Sequence, residues 1–338
     1  MPGPPPEPRE AAPAAHPHAP EVSWVRRLLG PFYVTGVFWY WFPTVTPRLL
    51  PAWAFVPTEA LFGTAFYVFL HNVRRAIIHN LTVVLGPCGF WAGQRRALRT
   101  IVNFSCCFGD RYERLARAQR FRVTVEGGEI WQELSRSGRG IILVTAHVGA
   151  WDALSQLAPS GLARAVHVVR EEEIDPASQE FIRRLVRERG DPSCHTHFAT
   201  GDPRLGLQLK EALEHGDLVA LQGDRPRAGT RDIVTTLFGR PTHLPAGPAV
   251  LGRVSGAPLL PVFCFRERHY LYRVVFRPTI QVCRDGNRDA AVEEATRALG
   301  REIEWAVRER PYQWFALGRI WPSARSGTSS AGGSSRSG

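Results

Sequence analysis

The 338-residue chain predicts an α/β fold, with a mostly parallel central sheet, helices on both faces, and a preceding N-terminal membrane-associated helical segment. Three patterns carry the prediction. From Phe121 onward, short runs rich in Val, Ile, Leu and Phe alternate with helical periodicity, as strands joined by crossover helices do. Upstream, that alternation gives way to uncharged aromatic stretches flanked by arginine pairs. Low-complexity tails bound both ends.

Residues 1–22 read as a disordered Pro/Ala-rich tail, since the first twenty residues hold eight prolines. Residues 23–120 read as a basic, aromatic helical region. Between Glu21 and Arg120 lie twelve arginines against four acidic residues, together with five of the ten tryptophans and the run Val37-Phe-Trp-Tyr-Trp-Phe42. Arginine beside tryptophan and tyrosine suits the headgroup zone of an anionic membrane, which is the expected partner. Nucleic acid would use the same residue types, but these aromatics are not interleaved with basic residues, so no nucleic-acid partner is expected.

Leu28 to Pro47 is a 20-residue stretch without a charge, long enough to cross a bilayer, yet Pro31, Pro43 and Pro47 interrupt it. An interfacial or re-entrant anchor therefore competes with a span. Thr58-Glu59 is expected to start a helix over Ala60–Val73, with Phe62, Phe66, Phe69 and Val73 on one face and Arg74-Arg75 closing it. No signal-peptide pattern precedes these segments.

Residues 121–322 read as the α/β domain. Its expected strands are Phe121–Val125, Gly140–Thr145, Ala165–Val169, Leu218–Leu221, Ile233–Leu237, Leu259–Phe265 and Leu271–Phe276; its clearest helices are Pro176–Arg189, Pro203–His215 and Ala290–Arg310. Residues 323–338 form a disordered Ser/Gly tail. The net charge of +11 is almost all arginine, Lys210 being the only lysine. Six cysteines without a CxxC pair read as free thiols and exclude a disulfide-stapled secreted scaffold.

No GxGxxG after a strand, GxxxxGK[ST], HExxH or GxSxG occurs, so dinucleotide, P-loop, zincin and nucleophile-elbow chemistry lack their usual supports. Cys194, His195 and His197 have ligand-like spacing but no matching second cluster, and are expected in an ordinary polar loop with no metal. The strongest constellation is Gly140-Ile-Ile-Leu-Val-Thr-Ala-His147-Val-Gly-Ala-Trp-Asp152. A strand-turn-helix path there would bring Asp152 to one imidazole nitrogen of His147 and raise the basicity of the other, a dyad able to deprotonate a substrate hydroxyl. By spacing alone, a core histidine followed by an aspartate N-cap is the plainer reading.

His147 to Asp152, read as HVGAWD behind GRGIILVTA, resembles the His-x4-Asp/Glu block of the lysophospholipid acyltransferase superfamily, specifically the bacterial lipid A biosynthesis (lauroyl/myristoyl) acyltransferase family. Further blocks agree in order: Val219-Ala-Leu-Gln-Gly-Asp-Arg225, Leu237-Phe-Gly-Arg-Pro241, Leu244-Pro-Ala-Gly-Pro248, Gly256-Ala-Pro-Leu-Leu-Pro261 and Pro311-Tyr-Gln-Trp314. Arg75-Ala-Ile-Ile-His-Asn-Leu81 and Asn103-Phe104 resemble the region between anchor and sheet, so that about residues 24 to 322 are covered.

The resemblance implies transfer of a fatty acyl group from acyl-ACP or acyl-CoA to a hydroxyl of a glycolipid or lysolipid at the cytoplasmic face of the inner membrane, with no cofactor or metal. His147 would be the general base and Asp152 its orienter. By the geometry of helix termini, backbone N–H groups near the start of the helix after Gly149 would stabilise the oxyanion. Arg170, Gly223, Asp224 and Arg225 would lie at the substrate, with the two arginines binding a phosphate or else pairing with Glu171 and Asp224 at the surface. Aspartate stands where some lipid A enzymes carry glutamate, and Trp151 before it also occurs in other glycolipid acyltransferases. Lipid A precursors, phosphatidylinositol mannosides and lysophospholipids all remain as acceptors. The alternative from another class is a basic membrane- or nucleic-acid-binding protein in which His147 and Asp152 are structural.

Overall fold

The computed structural model describes residues 36–321, apart from 154–163, 190, 191, 200, 201, 203 and 228. Both tails, and Pro31 with the start of the Leu28–Pro47 stretch, lie outside the described residues.

Nine strands are described. They are β1 (Arg122–Glu126), β2 (Ile141–Thr145), β3 (Val166–Arg170), β4 (Cys194–Phe198), β5 (Leu218–Gln222), β6 (Asp232–Leu237), β7 (Arg240–Pro245), β8 (Leu259–Arg268) and β9 (Leu271–Phe276). Seven form one sheet in the order β1-β9-β8-β2-β5-β3-β4. Only the β8–β9 hairpin is antiparallel within it; every other pairing is parallel.

Parallel strands are covered on both faces, which is why β2 reads as an unbroken apolar run. On one face, Ile142, Val144, Val219 and Phe263 pack against α7 (Arg204–Glu214), α8 (Gly247–Ser255) and α9 (Arg288–Glu309) through Leu209, Leu213, Ala249, Leu299 and Ile303. On the other, Ile141, Val166, Leu218 and Leu260 meet Ile130, Trp131 and Leu134 of α5 (Gly128–Arg136). Helix α6 (Pro176–Arg189) follows β3 with the expected bounds. Helix α9 starts two residues earlier than its periodicity suggests, because Asn287 caps it by accepting from Asp289 N and Ala290 N.

One expected strand lies outside the main sheet, and one expected loop is a strand. Ile233–Leu237 belongs to β6, which pairs with β7 in a separate antiparallel ribbon. Phe238 and Gly239, at φ +53° and +71°, form the two-residue turn that closes that ribbon. Cys194–Phe198 is the edge strand β4, not a loop; its Cys-His-Thr-His sequence lacks the apolar signal of the inner strands.

The N-terminal layer comprises α1 (Phe38–Leu49), α2 (Ala52–Phe69), α3 (His71–Leu85) and α4 (Phe90–Arg117). Pro43 and Pro47 lie inside α1 without ending it, and Thr58-Glu59 lies inside α2 rather than starting it. The Thr58 hydroxyl donates to the Ala54 carbonyl, while Glu59 is buried on α4 against Gly109, where a Cβ would collide with its carboxyl group. The chain breaks at Leu70, so Arg74-Arg75 falls in the first turns of α3. Phe62 and Phe66 pack on Trp39, and Phe62 also on Phe42, whereas Phe69 faces solvent. No single described helix is long and apolar enough to cross a membrane; α2 and α3 pass that test only as a pair bent by 95°.

Candidate active site

Strands β2 and β5 pair in parallel with Thr145 opposite Gln222. Two residues past those partners lie His147 and Asp224, so the register itself delivers both to the carboxyl edge of the sheet, where open α/β folds place their sites. His147 Nδ1 is 2.8 Å from Asp224 Oδ1, and the His147 backbone N–H donates to Asp224 Oδ2 at 3.1 Å. One carboxylate thus holds both ring and backbone, leaving Nε2 as the nitrogen for chemistry. Burial opposes ionisation of Asp224, but the His147 imidazole, its hydrogen bonds and Arg225 hold the carboxyl down to about 2.

The hydrogen bond expected between His147 and Asp152 is not made. Asp152 sits in a short 3-10 turn, Trp151–Ala153, and pairs with Arg111 of α4 at 2.7 Å. Burial alone would raise its carboxyl; Arg111, Arg170 and His147 lower it below the ordinary aspartate value. The Trp151 ring packs 5.2 Å from the His147 ring and 5.7 Å from that of Phe315.

The turn after His147 also differs from expectation. Gly149 is at φ +62°, and a Cβ there would strike the Cys264 carbonyl oxygen, so glycine fits both the backbone and the space. Its N–H donates to Gln313 O at 2.8 Å, that of Ala150 to Cys264 O at 2.7 Å, and that of Val148 to Ala146 O. These three amides serve the fold and are not aimed at an oxyanion, which leaves the expected donors to the turn that starts at Trp151. The segment is stitched down further by Phe315 N donating to His147 O.

A cavity of about 180 Å³ opens beside the turn. Gly149, Ala150, Trp151, Asp152 and Arg170 form one wall, and Phe104, Phe108, Arg111 and Arg114 of α4 another; Tyr40 and Glu173 also line it. The Tyr40 hydroxyl donates to Glu173 at 2.6 Å across the rim. Arg170, expected at the substrate, is therefore at the cavity. Arg225 is not among the lining residues; it donates to the Phe315 carbonyl and lies 3.8 Å from Asp224. Gly223 packs so tightly that a Cβ would come within 2.8 Å of Leu299 and Val144, which accounts for the glycine by packing.

The thiols near the site are poorly suited to attack. Burial pushes Cys264 up to about 12 and Cys106 up to about 11, and raises Cys107 on the cavity wall as well. As for metals, Asp110, Glu113 and His269 offer three ligand atoms close together. Arg266 and Tyr272 bind Asp110, while His269, Tyr270 and Arg117 bind Glu113, which makes this an ion cluster fastening α4 to the β8–β9 hairpin. On β4, His197 Nε2 meets His167 Nδ1 of β3 at 2.9 Å.

Sequence reasoning missed Arg111, Tyr40 and Glu173. Nothing near them in sequence marks them, since Arg111 reaches Asp152 only because α4 packs across the sheet edge.

A family model for bacterial lipid A biosynthesis acyltransferase matches residues 32–323, which is most of the chain. The chain belongs to that family. It is 27% identical over 187 residues to the phosphatidylinositol mannoside acyltransferase of Mycobacterium tuberculosis H37Rv, covering 55% of each protein. It is 31% identical over 141 residues to the enzyme of that name from Mycolicibacterium smegmatis, covering 41% of this chain and 44% of the relative. The chain therefore spans about half the length of these curated relatives. The 1-acyl-sn-glycerophosphate acyltransferase PlsC of Thermotoga maritima is a more distant match in structure, with a TM-score of 0.35 and 16% identity over 74% of this chain and 98% of that one.

Proposed function

We propose that this family member is a membrane-surface O-acyltransferase that moves a fatty acyl group from a coenzyme A or acyl-carrier-protein thioester to a hydroxyl of a glycolipid. The observation that carries the reading is the His147–Asp224 pair at the carboxyl edge of a parallel sheet. An imidazole held by a carboxylate can deprotonate a hydroxyl, and the reading takes that hydroxyl, the nucleophile, from the substrate.

In this reading His147 Nε2 takes the proton of the acceptor hydroxyl as its oxygen attacks the thioester carbonyl. Asp224 orients the ring and stabilises the imidazolium. The tetrahedral intermediate collapses with cleavage of the C–S bond, and the imidazolium returns the proton to the departing thiolate. Ester and free thiol are the products. Arg170 and Asp152 act at the cavity wall, where Arg170 supplies positive charge for the oxyanion or a substrate phosphate. Arg225 with Gly223 supports Asp224 from behind.

A phosphatidylinositol mannoside-type glycolipid is the favoured acceptor because the curated relatives carry that name. A lipid A precursor is the second reading, favoured by the family description. Docking on a membrane surface is supported by Trp53 and Trp91, 80% and 81% exposed, with Phe69, Phe90, Leu49 and Leu61 also exposed on the arginine-rich layer; the reading assigns that surface to the cytoplasmic face of an anionic inner membrane. The test is incubation with isotope-labelled acyl-CoA and acyl-ACP and total membrane lipids, followed by mass spectrometry. A glycolipid gaining one labelled acyl ester is expected; no acylated lipid with either donor would overturn the proposal.

A further inference from the structure

We propose that Arg111 is a positioning residue for Asp152, so that helix α4 of the N-terminal layer completes a site whose other groups come from the sheet. The proposal rests on the assignment of His147 and Asp152 to the reaction. Asp224, not Asp152, holds His147 Nδ1, so Asp152 is not placed by that nitrogen. It is held instead by the Arg111 guanidinium at 2.7 Å, between side chains that are only 12% and 28% exposed.

Arg111 comes to that contact already constrained. On either side of it α4 is fastened to the α/β domain: Asn103 donates to Tyr312 O at 3.2 Å, Arg266 to Asp110 at 2.6 Å, and His269 meets Glu113 at 2.7 Å. The guanidinium also lies over the ring of its buried neighbour Tyr112, 5.4 Å from the centroid. A side chain with so little freedom left to lose makes a well-defined ion pair. Asp152 itself follows a turn pinned by Cys264 and Gln313, so both partners are fixed by separate parts of the fold.

The consequence is electrostatic as well as steric. With Arg111 on one side and Arg170 lining the same cavity, Asp152 keeps its negative charge near His147, where it favours the imidazolium that forms during proton abstraction. Lysine at 111 would keep the charge but not the planar guanidinium. Arg111 also lines the cavity, so the dependence of its effect on Asp152 is what marks the positioning role.

The test is a double-mutant cycle on the full chain with labelled acyl-CoA. Arg111→Gln is expected to lower kcat by ~10- to 100-fold with little change in KM for the thioester, Arg111→Lys to restore part of it, and Arg111→Gln to cost almost nothing more in the Asp152→Asn background. Near-normal kcat in that variant, or losses that multiply in the double variant, would overturn the proposal. Should Arg111→Gln fail to fold, Arg111→Lys runs the same cycle, with a ~3- to 10-fold loss expected only where Asp152 is present and an equal loss in both backgrounds overturning the role. An additive cycle beside an inactive His147→Ala overturns the positioning role alone; turnover surviving in His147→Ala overturns the underlying assignment.

Discussion

Asp224 binds His147 twice, through the ring at 2.8 Å and through the backbone N–H at 3.1 Å. The two-point contact fixes the tautomer as Nδ1–H and the ring plane together, as a catalytic imidazole needs. Asp224→Asn keeps the shape but removes the charge that stabilises an imidazolium. It should lower kcat by ~100- to 10,000-fold with a smaller change in KM, measured by steady-state acyl transfer beside a thermal melt. Turnover within a few-fold of wild type would assign Asp224 to packing.

Gly149 accepts no side chain without strain, since its φ is +62° and a Cβ would meet the Cys264 carbonyl. Gly149→Ala is expected to destabilise the fold by about 2 kcal/mol or more. Chemical denaturation would show it as a lower midpoint at unchanged slope.

Glu59 is buried beside Asp110 and Glu113, and burial together with those two carboxylates pushes it up to about 8. A carboxyl raised in the folded state binds a proton there that the unfolded chain has released, so stability falls as pH rises from the ordinary glutamate range through about 8. Glu59→Gln should remove that decline. Melting temperatures from pH 5 to pH 9 should converge at the acidic end and favour the variant at the alkaline end; parallel curves would contradict the assignment.

Trp53 and Trp91 are 80% and 81% exposed on the N-terminal layer, Trp91 with its ring T-shaped against that of the likewise exposed Phe90. Replacing both with serine should weaken sedimentation with anionic vesicles by ~10-fold or more while leaving the melting temperature unchanged. Unaltered binding would move the membrane face elsewhere.

Much of this architecture was legible because apolar runs and helix periods are local. Leu271–Phe276 and Pro176–Arg189 were readable residue for residue, and the His147 strand to within one residue. β4 escaped because an edge strand of Cys-His-Thr-His carries almost no apolar alternation, and β6 is legible as a strand although its pattern does not reveal its pairing with β7. In the site, His147 stands out and Asp224 is expected at the substrate, but not as the partner of the imidazole. Asp152 is five residues away along the chain; Asp224 is seventy-seven away and becomes adjacent only once β2 and β5 are in register. The same limit hid Arg111, whose bond to Asp152 spans forty-one residues. The Gly149 amides looked free because the carbonyls that take them come from Cys264 and Gln313, far downstream.

The most direct test of the central claim is acyl transfer by folded His147→Ala, assayed with labelled thioester and membrane glycolipid beside the wild-type chain. Loss of a general base predicts turnover lower by at least ~100-fold with the melting temperature preserved. Near-normal turnover in the folded variant would show that His147 is a structural residue and that the proposed chemistry is wrong.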